Sequence, residues 1–288
     1  MPTNNQNRPA LAFTKRLMAV LPTIYESERK FGRAFSELQV LDGVEENKNA
    51  FTVKTSDQAV VVNTYDKTAI NEAVASAGRF GAIQEIIYTN TDVQYDDEMA
   101  TNALIDEVTV NNNLDFAVAE NFVKTSQAYT KKMNIADGKF FSDNAVITET
   151  IADLTDPSTE ALLNKLAAKY IDLEVAVDVT MYCAPTLYSA LVDSRLATTG
   201  KNSSVSIDEN GLYWFKGFRI EAVPSTYFVA GEVAYLVPDG VGVPFIGISV
   251  ARTITDKDYA GLILQTLSKG GRFVLDDNKK AIAKVTLT

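Results

Sequence analysis

Two segments constrain this chain more than any other: residues 51–65 (FTVKTSDQAVVVNTY) and 84–95 (QEIIYTNTDVQY). Both are rich in β-branched residues, and a stretch marked by Gly78 and Gly81 separates them, which predicts one long hairpin. Its strands carry many Thr, Asn, Asp and Gln and only a thin apolar stripe, so the hairpin brings no sheet of its own to pack on. An isolated two-stranded ribbon is marginal in water. A chain that contains one therefore calls for a partner surface.

The rest of the chain reads as ordinary folded protein. Its 288 residues suffice for about two structural units. With 46% hydrophobic and 22% charged residues it is neither disordered nor fibrous. Leu17, Leu21, Ile24, Phe31, Phe35 and Leu38 fall at helical steps, which predicts an N-terminal helix ending near residue 38. Asn113 and Asp115 can cap a rod over 114–133, faced by Leu114, Val118, Phe122, Thr125, Tyr129 and Met133, with Gly138 ending the excursion. A second helix starts at Asp156-Pro157 and buries Leu162, Leu163, Leu166, Ala167 and Tyr170; a strand at 175–183 and a third helix over 185–197 follow. Beyond it the pattern turns β. Strands are expected at 205–207 and 212–215 around Asn210-Gly211, then at 218–223, 232–237, 245–251, 261–267, 273–275 and 281–287. Helices followed by strands mixed with helices predict an α+β fold with antiparallel sheets.

Composition excludes whole classes of chemistry. There is no histidine, which removes Ser-His and Cys-His nucleophile pairs, the commonest general base and the commonest metal ligand together. The single cysteine, Cys183, excludes an intrachain disulfide and CxxC sites, and in MYCAP it reads as a buried structural residue. A net charge of −10 argues against general affinity for nucleic acid or anionic lipid. The most apolar stretch, 233–250, is broken by Pro238, Asp239 and Pro244, and residues 11–25 contain Lys15 and Arg16 without an Ala-x-Ala site, so no membrane or secretory segment is expected. Residues 197–204 (ATTGKNSS) approach a phosphate loop, but position 195 is Arg195 and Asn202 follows Lys201. Asp92, Asp96, Asp97 and Glu98 lack calcium-loop spacing and read as a solvated charge run; Trp214 reads as core. No catalytic, cofactor or metal site is expected.

Charge is nevertheless distributed unevenly. Arg8, Lys15, Arg16, Arg29, Lys30 and Arg33 against Glu26 and Glu28 give residues 1–33 a net +4, leaving −14 on the remainder. An arm of this kind either solvates a helix or docks on an acidic neighbour.

Three segments carry a family likeness: 106–115 (DEVTVNNNLD), 134–144 (NIADGKFFSDN) and 182–223, which includes TLYSALVDSRLATTGKNSSVSIDENGLYWFKGFRIEAV. With the order of elements, they resemble the major capsid proteins of tailed bacteriophages with the Hong Kong 97-type fold, in particular those of Gram-positive siphophages and prophages. The resemblance implies a basic N-arm over 1–45, an E-loop over 46–97, and a P domain over 98–152 with a spine helix at 114–133. It further implies an A domain over 153–251, a P-domain return strand over 252–270 and a C-terminal A-domain segment over 271–288. It explains the ribbon, because such loops lie over neighbouring subunits.

The implied function is a homo-oligomeric shell of hexamers and pentamers, icosahedral, enclosing double-stranded DNA without sequence-specific binding. Assembly is expected in the bacterial host cytoplasm, with a scaffolding protein, a portal and a decoration protein as partners. The arm begins almost at once, which implies a separate scaffold or a mature-length chain. Lys54 and Lys67 tempt comparison with isopeptide cross-links in the family, but no matching acceptor and catalytic glutamate can be identified. Expected inter-subunit contacts are Arg8, Lys15, Arg16, Arg29, Lys30, Arg33, Lys54, Asp57, Lys67, Asp92, Asp96, Asp97 and Lys201. Reversing charge at Arg29, Lys30 and Arg33 is expected to cripple assembly while leaving the subunit folded. The competing readings are an encapsulin-like compartment, a tail or adaptor protein, and a carboxylate-based hydrolase with two close, perturbed acids in a pocket.

Overall fold

Residues 179–183 (VTMYC) show no alternation of polar and apolar side chains, which in a strand signals cover on both faces. The computed structural model shows that cover. It describes residues 29–41, 49–56, 60–67, 79–82, 84–107, 114–194, 206–208, 211–255 and 260–288. They divide into two units, one of residues 45–94 and one formed by the rest of the chain.

In the larger unit, seven strands form one mixed sheet in the order β5-β13-β10-β6-β9-β8-β7. They are β5 (Ile147–Ile151), β6 (Val179–Cys183), β7 (Ser206–Asp208), β8 (Gly211–Phe215), β9 (Phe218–Ala222), β10 (Glu232–Pro238) and β13 (Ala283–Leu287). Neighbouring residues on β6 and β10 point to opposite cores. Met181, Cys183, Ala234 and Leu236 pack with Leu162, Leu163, Leu166 and Leu187 from helices α2 (Asp156–Asp172) and α3 (Pro185–Asp193). Tyr182, Tyr235 and Val237 pack on the other side with Phe31, Phe35 and Phe141. Each fully buried side chain of this size contributes about 1.5–3 kcal/mol. The expectation of antiparallel sheets holds for most pairings and is corrected at two in this sheet: β6 runs parallel to β9 and β13 parallel to β5. The first pair follows from α3, since parallel neighbours need a crossover rather than a hairpin.

A second sheet has the order β1-β11-β12-β4, from β1 (Gln39–Val40), β4 (Asp97–Asp106), β11 (Val243–Thr255) and β12 (Gly261–Phe273). β11 and β12 pair antiparallel from Val243↔Phe273 to Thr255↔Leu262, with a register shift between Ile246 and Ile248. Both are longer than the sequence suggests, and Phe273 ends β12 rather than opening a separate strand. The boundaries set at 251 and 270 fall inside them.

The long helix α1 (Leu114–Asn144) places Ala117, Val118 and Phe122 in a core with Ile105, Ala251 and Leu264. Tyr129 reaches the sheet, its hydroxyl 2.6 Å from the Thr266 hydroxyl. The expected end at 133 is corrected: α1 continues through Gly138 to Asn144. Gly138 is needed for contact, because a Cβ there would overlap the Tyr227 carbonyl oxygen of the 3-10 turn Ser225–Tyr227. A short helix, α4 (Asp276–Lys279), precedes β13. Among the described residues no helix is long and apolar enough to cross a membrane.

The smaller unit is the expected hairpin, with a shorter ladder. β2 (Phe51–Thr55) and β3 (Thr89–Val93) pair antiparallel from Phe51↔Val93 to Thr55↔Thr89, and the Thr52 hydroxyl donates to Asp92 at 2.6 Å. Past Thr55 the described residues 60–67 and 84–88 are not regular strand. The apolar side chains there are exposed, Val62 at 93%, so little burial stabilises further pairing.

Candidate assembly interface

Residues 29–41, the described root of the expected basic arm, are woven into the larger unit. The expected helix does not extend here; a 3-10 turn, Gly32–Ala34, takes its place. Its backbone is claimed by tertiary partners. Lys30 N–H donates to the Asn134 side chain at 3.0 Å and Ala34 N–H to the Tyr182 hydroxyl at 3.1 Å. Gly240 N–H donates to the Arg33 carbonyl and Ser36 N–H to the Gly242 carbonyl, each at 2.8 Å. Phe31 is fully buried between Phe141, Tyr182 and Tyr235. These bonds offer the chain more than an isolated helical turn could.

Four charges lock this root in place. Asp137, wholly buried on α1, accepts two hydrogen bonds from Arg29, at 2.7 and 2.9 Å, and a third from Arg272 on β12. Arg272 in turn sits 2.6 Å from Asp97 at the start of β4. The Arg29 guanidinium also lies over the Phe35 ring, 3.9 Å from its centroid. Two arginines and two carboxylates thus alternate in a buried chain with no net charge. Burial pushes the Asp97 carboxyl above its ordinary range, Asp137 and Asp96 adding to the rise and Arg272 reversing part of it.

This geometry sorts the expected contact residues. Arg29 and Asp97 are paired within the chain, so a triple reversal including Arg29 is expected to disturb the fold as well as any contact between copies, because it sets a new carboxylate against Asp137. Lys30 and Arg33 stay exposed and act on Glu221, whose pKa burial raises and Arg33, Lys30 and Arg219 pull part of the way back. Asp96 and Glu98 are exposed, as the acidic run predicts, but strand alternation turns Asp97 inward. Lys54, Lys67 and Asp92 are exposed on the smaller unit. Arg8, Lys15, Arg16, Asp57 and Lys201 lie outside the described residues.

Sequence reasoning missed Asn134, Asp137 and Arg272. The signal was present: Asn134 and Asp137 continue the 3.6-residue phase of Phe122, Tyr129 and Phe141. An acid on an otherwise inward stripe marks a buried ion pair, but it becomes visible only when the helix is carried past Met133. Other readings resolve simply. Cys183 is buried and free, and burial pushes its thiol up. Trp214 stacks with Arg219, whose guanidinium is 5.2 Å from the ring centroid.

A cleft of about 600 Å³ lies between α1 and the four-stranded sheet, lined chiefly by apolar and small residues such as Met99, Met133, Phe245 and Leu267. Among the described residues its lining carboxylates are Glu37 and Asp97, and Asp97 is tied to Arg272.

The architecture has counterparts among solved structures. The capsid of cyanophage P-SCSP1u matches with a TM-score of 0.64 at 11% identity, over 90% of this chain and 89% of that one. The mature capsid of bacteriophage PhiM1 matches with a TM-score of 0.63 at 9% identity, over 87% and 85%. This chain has the Hong Kong 97-type capsid fold. The same capsid fold relates it to a virus-like particle from Pyrococcus furiosus, with a TM-score of 0.55 at 9% identity over 95% and 99%. No family model matches the chain, and no curated protein matches its sequence.

Proposed function

We propose that this protein is the major capsid protein of a tailed bacteriophage. Its copies form hexamers and pentamers that close into an icosahedral shell around double-stranded DNA. One observation carries the reading: an embedded arm root, a spine helix on a long β-hairpin, a covered mixed sheet and a separate ribbon occur together, over nearly the whole length of phage capsid subunits. In this reading residues 1–44 are the N-arm and 45–94 the E-loop. The P domain comprises β4, α1 and the β11–β12 hairpin, and the seven-stranded sheet with α2 and α3 is the A domain. The protein works structurally, with no catalytic or cofactor site, and assembles in the host cytoplasm with scaffolding, portal and decoration partners.

Affinity in such a shell comes from many moderate contacts made at once. Lys30, Arg33, Lys54, Lys67, Asp92 and Asp96 are the described candidates for those contacts. The likeness to the Pyrococcus particle supports a second reading, a protein compartment. Electron microscopy of the overexpressed protein, alone and with its neighbouring genes, tests both. Closed shells filled with nucleic acid support the capsid, shells filled with protein support the compartment, and a persistent monomer or dimer removes both.

A further inference from the structure

The outward face of α1 is basic in an acidic protein. Lys124, Lys131, Lys132 and Lys139 are all exposed, and at 3.6 residues per turn they fall within an arc of about 100°. They span about 22 Å of a straight helix. Between Asn121 and Ser142 the one acidic residue is Asp137, which is buried on the opposite side against Arg29 and Arg272. Lys124 is paired with Glu120 at 2.7 Å. Lys131, Lys132 and Lys139 have no carboxylate partner among the described residues.

We propose that this lysine stripe on α1 is a docking surface for the phosphate backbone of double-stranded DNA, bound without regard to sequence; the proposal rests on the shell reading above. Charge complementarity selects the partner. A duplex presents one negative charge per roughly 1.7 Å of its axis, so three unpaired lysines find phosphates in any register. The stripe is convex and carries Ala128 and Ile135 between its charges, so it offers nothing to read base edges with. It also contains no arginine, whereas protein interfaces favour Arg and deplete Lys. Confined to one helix on a body of net −10, the contact is weak, salt-sensitive and reversible, as a DNA that must later leave requires.

The test measures binding of a fluorescent random-sequence duplex of about 30 base pairs to unassembled full-length subunits, cleared of particles by sedimentation. Three proteins are compared: wild type, Lys131→Gln/Lys132→Gln/Lys139→Gln, and the matching triple Lys→Arg. The wild type and the Arg triple should bind, losing affinity roughly 40- to 150-fold between about 50 and 200 mM salt, while the Gln triple loses at least about tenfold and most of the salt slope. Equal binding by the wild type and the Gln triple, or no binding by the wild type at low salt, overturns the proposal. So does preference for polyglutamate over the duplex, which would assign the stripe to an acidic protein partner. Electron microscopy of the same preparations reports shell formation separately, so a failed stripe and a failed shell reading are told apart.

Discussion

The seven-stranded sheet and the ribbon at 45–94 are both rich in β-branched residues, but they differ in how apolar their strands are and in what covers them. On β6 and β10 every residue is buried, because α2 and α3 lie on one face and the arm root with the end of α1 on the other. On the ribbon Val60, Val61, Val62, Phe80, Ile87 and Tyr88 are mostly exposed, and the ladder is five residues long. The first region carries its own stability. The second leaves apolar side chains exposed among its described residues, and on the proposed reading burying them against other copies is what drives assembly.

That contrast can be broken at the buried charge chain first. Asp137→Ala removes the acceptor shared by Arg29 and Arg272, and should cost about 3–5 kcal/mol in urea unfolding, because two arginines lose their buried partner. A loss below about 1 kcal/mol would mean that the arm root is not held as described. Next, Gly138→Ala should lower stability by about 1–3 kcal/mol through the clash with the Tyr227 carbonyl, although alanine is the better helix former by about 1 kcal/mol. A higher melting temperature in calorimetry would contradict the close approach.

A smaller effect is expected from pH. Burial tends to raise the Glu149 pKa, but hydrogen bonds and charge from Lys165 and Lys169 outweigh it and hold the carboxyl below its ordinary range. A depressed carboxylate stabilises the fold above its unfolded pKa and loses that contribution as pH falls through the folded value. Glu149→Gln should therefore flatten the acid limb of the stability curve, by less than about 1 kcal/mol given two partly exposed lysines. An unchanged limb would show that the pair does nothing. Smallest of all, Val62→Ser should leave subunit stability within about 0.5 kcal/mol while impairing assembly in light scattering.

Local pattern made α1, α2, β6 and the ribbon legible, because each has a strong period or composition. Tertiary contacts decided the rest. Gly138 reads as a helix stop on propensity alone, and the nearby carbonyl that requires it belongs to a turn far along the chain. Asp97 looks like part of an exposed acidic run until β4 sets its phase and Arg272 reaches it. Lys30 and Arg33 remained surface charges, whereas Arg29 did not, since its partner lies on a helix turn beyond the expected end of α1. The parallel pairings of β5 and β9 were illegible because register and direction are set by crossovers, not by strand composition.

On the proposed reading the covered unit folds by itself and the ribbon serves other copies. Sedimentation velocity of the full chain, beside a variant in which residues 57–83 are replaced by a short Gly-Ser turn, tests it most directly. The account predicts fast-sedimenting particles from the full chain, and small, folded species with an unchanged unfolding midpoint from the variant. Particles from both proteins alike, or a variant that fails to fold, would contradict it.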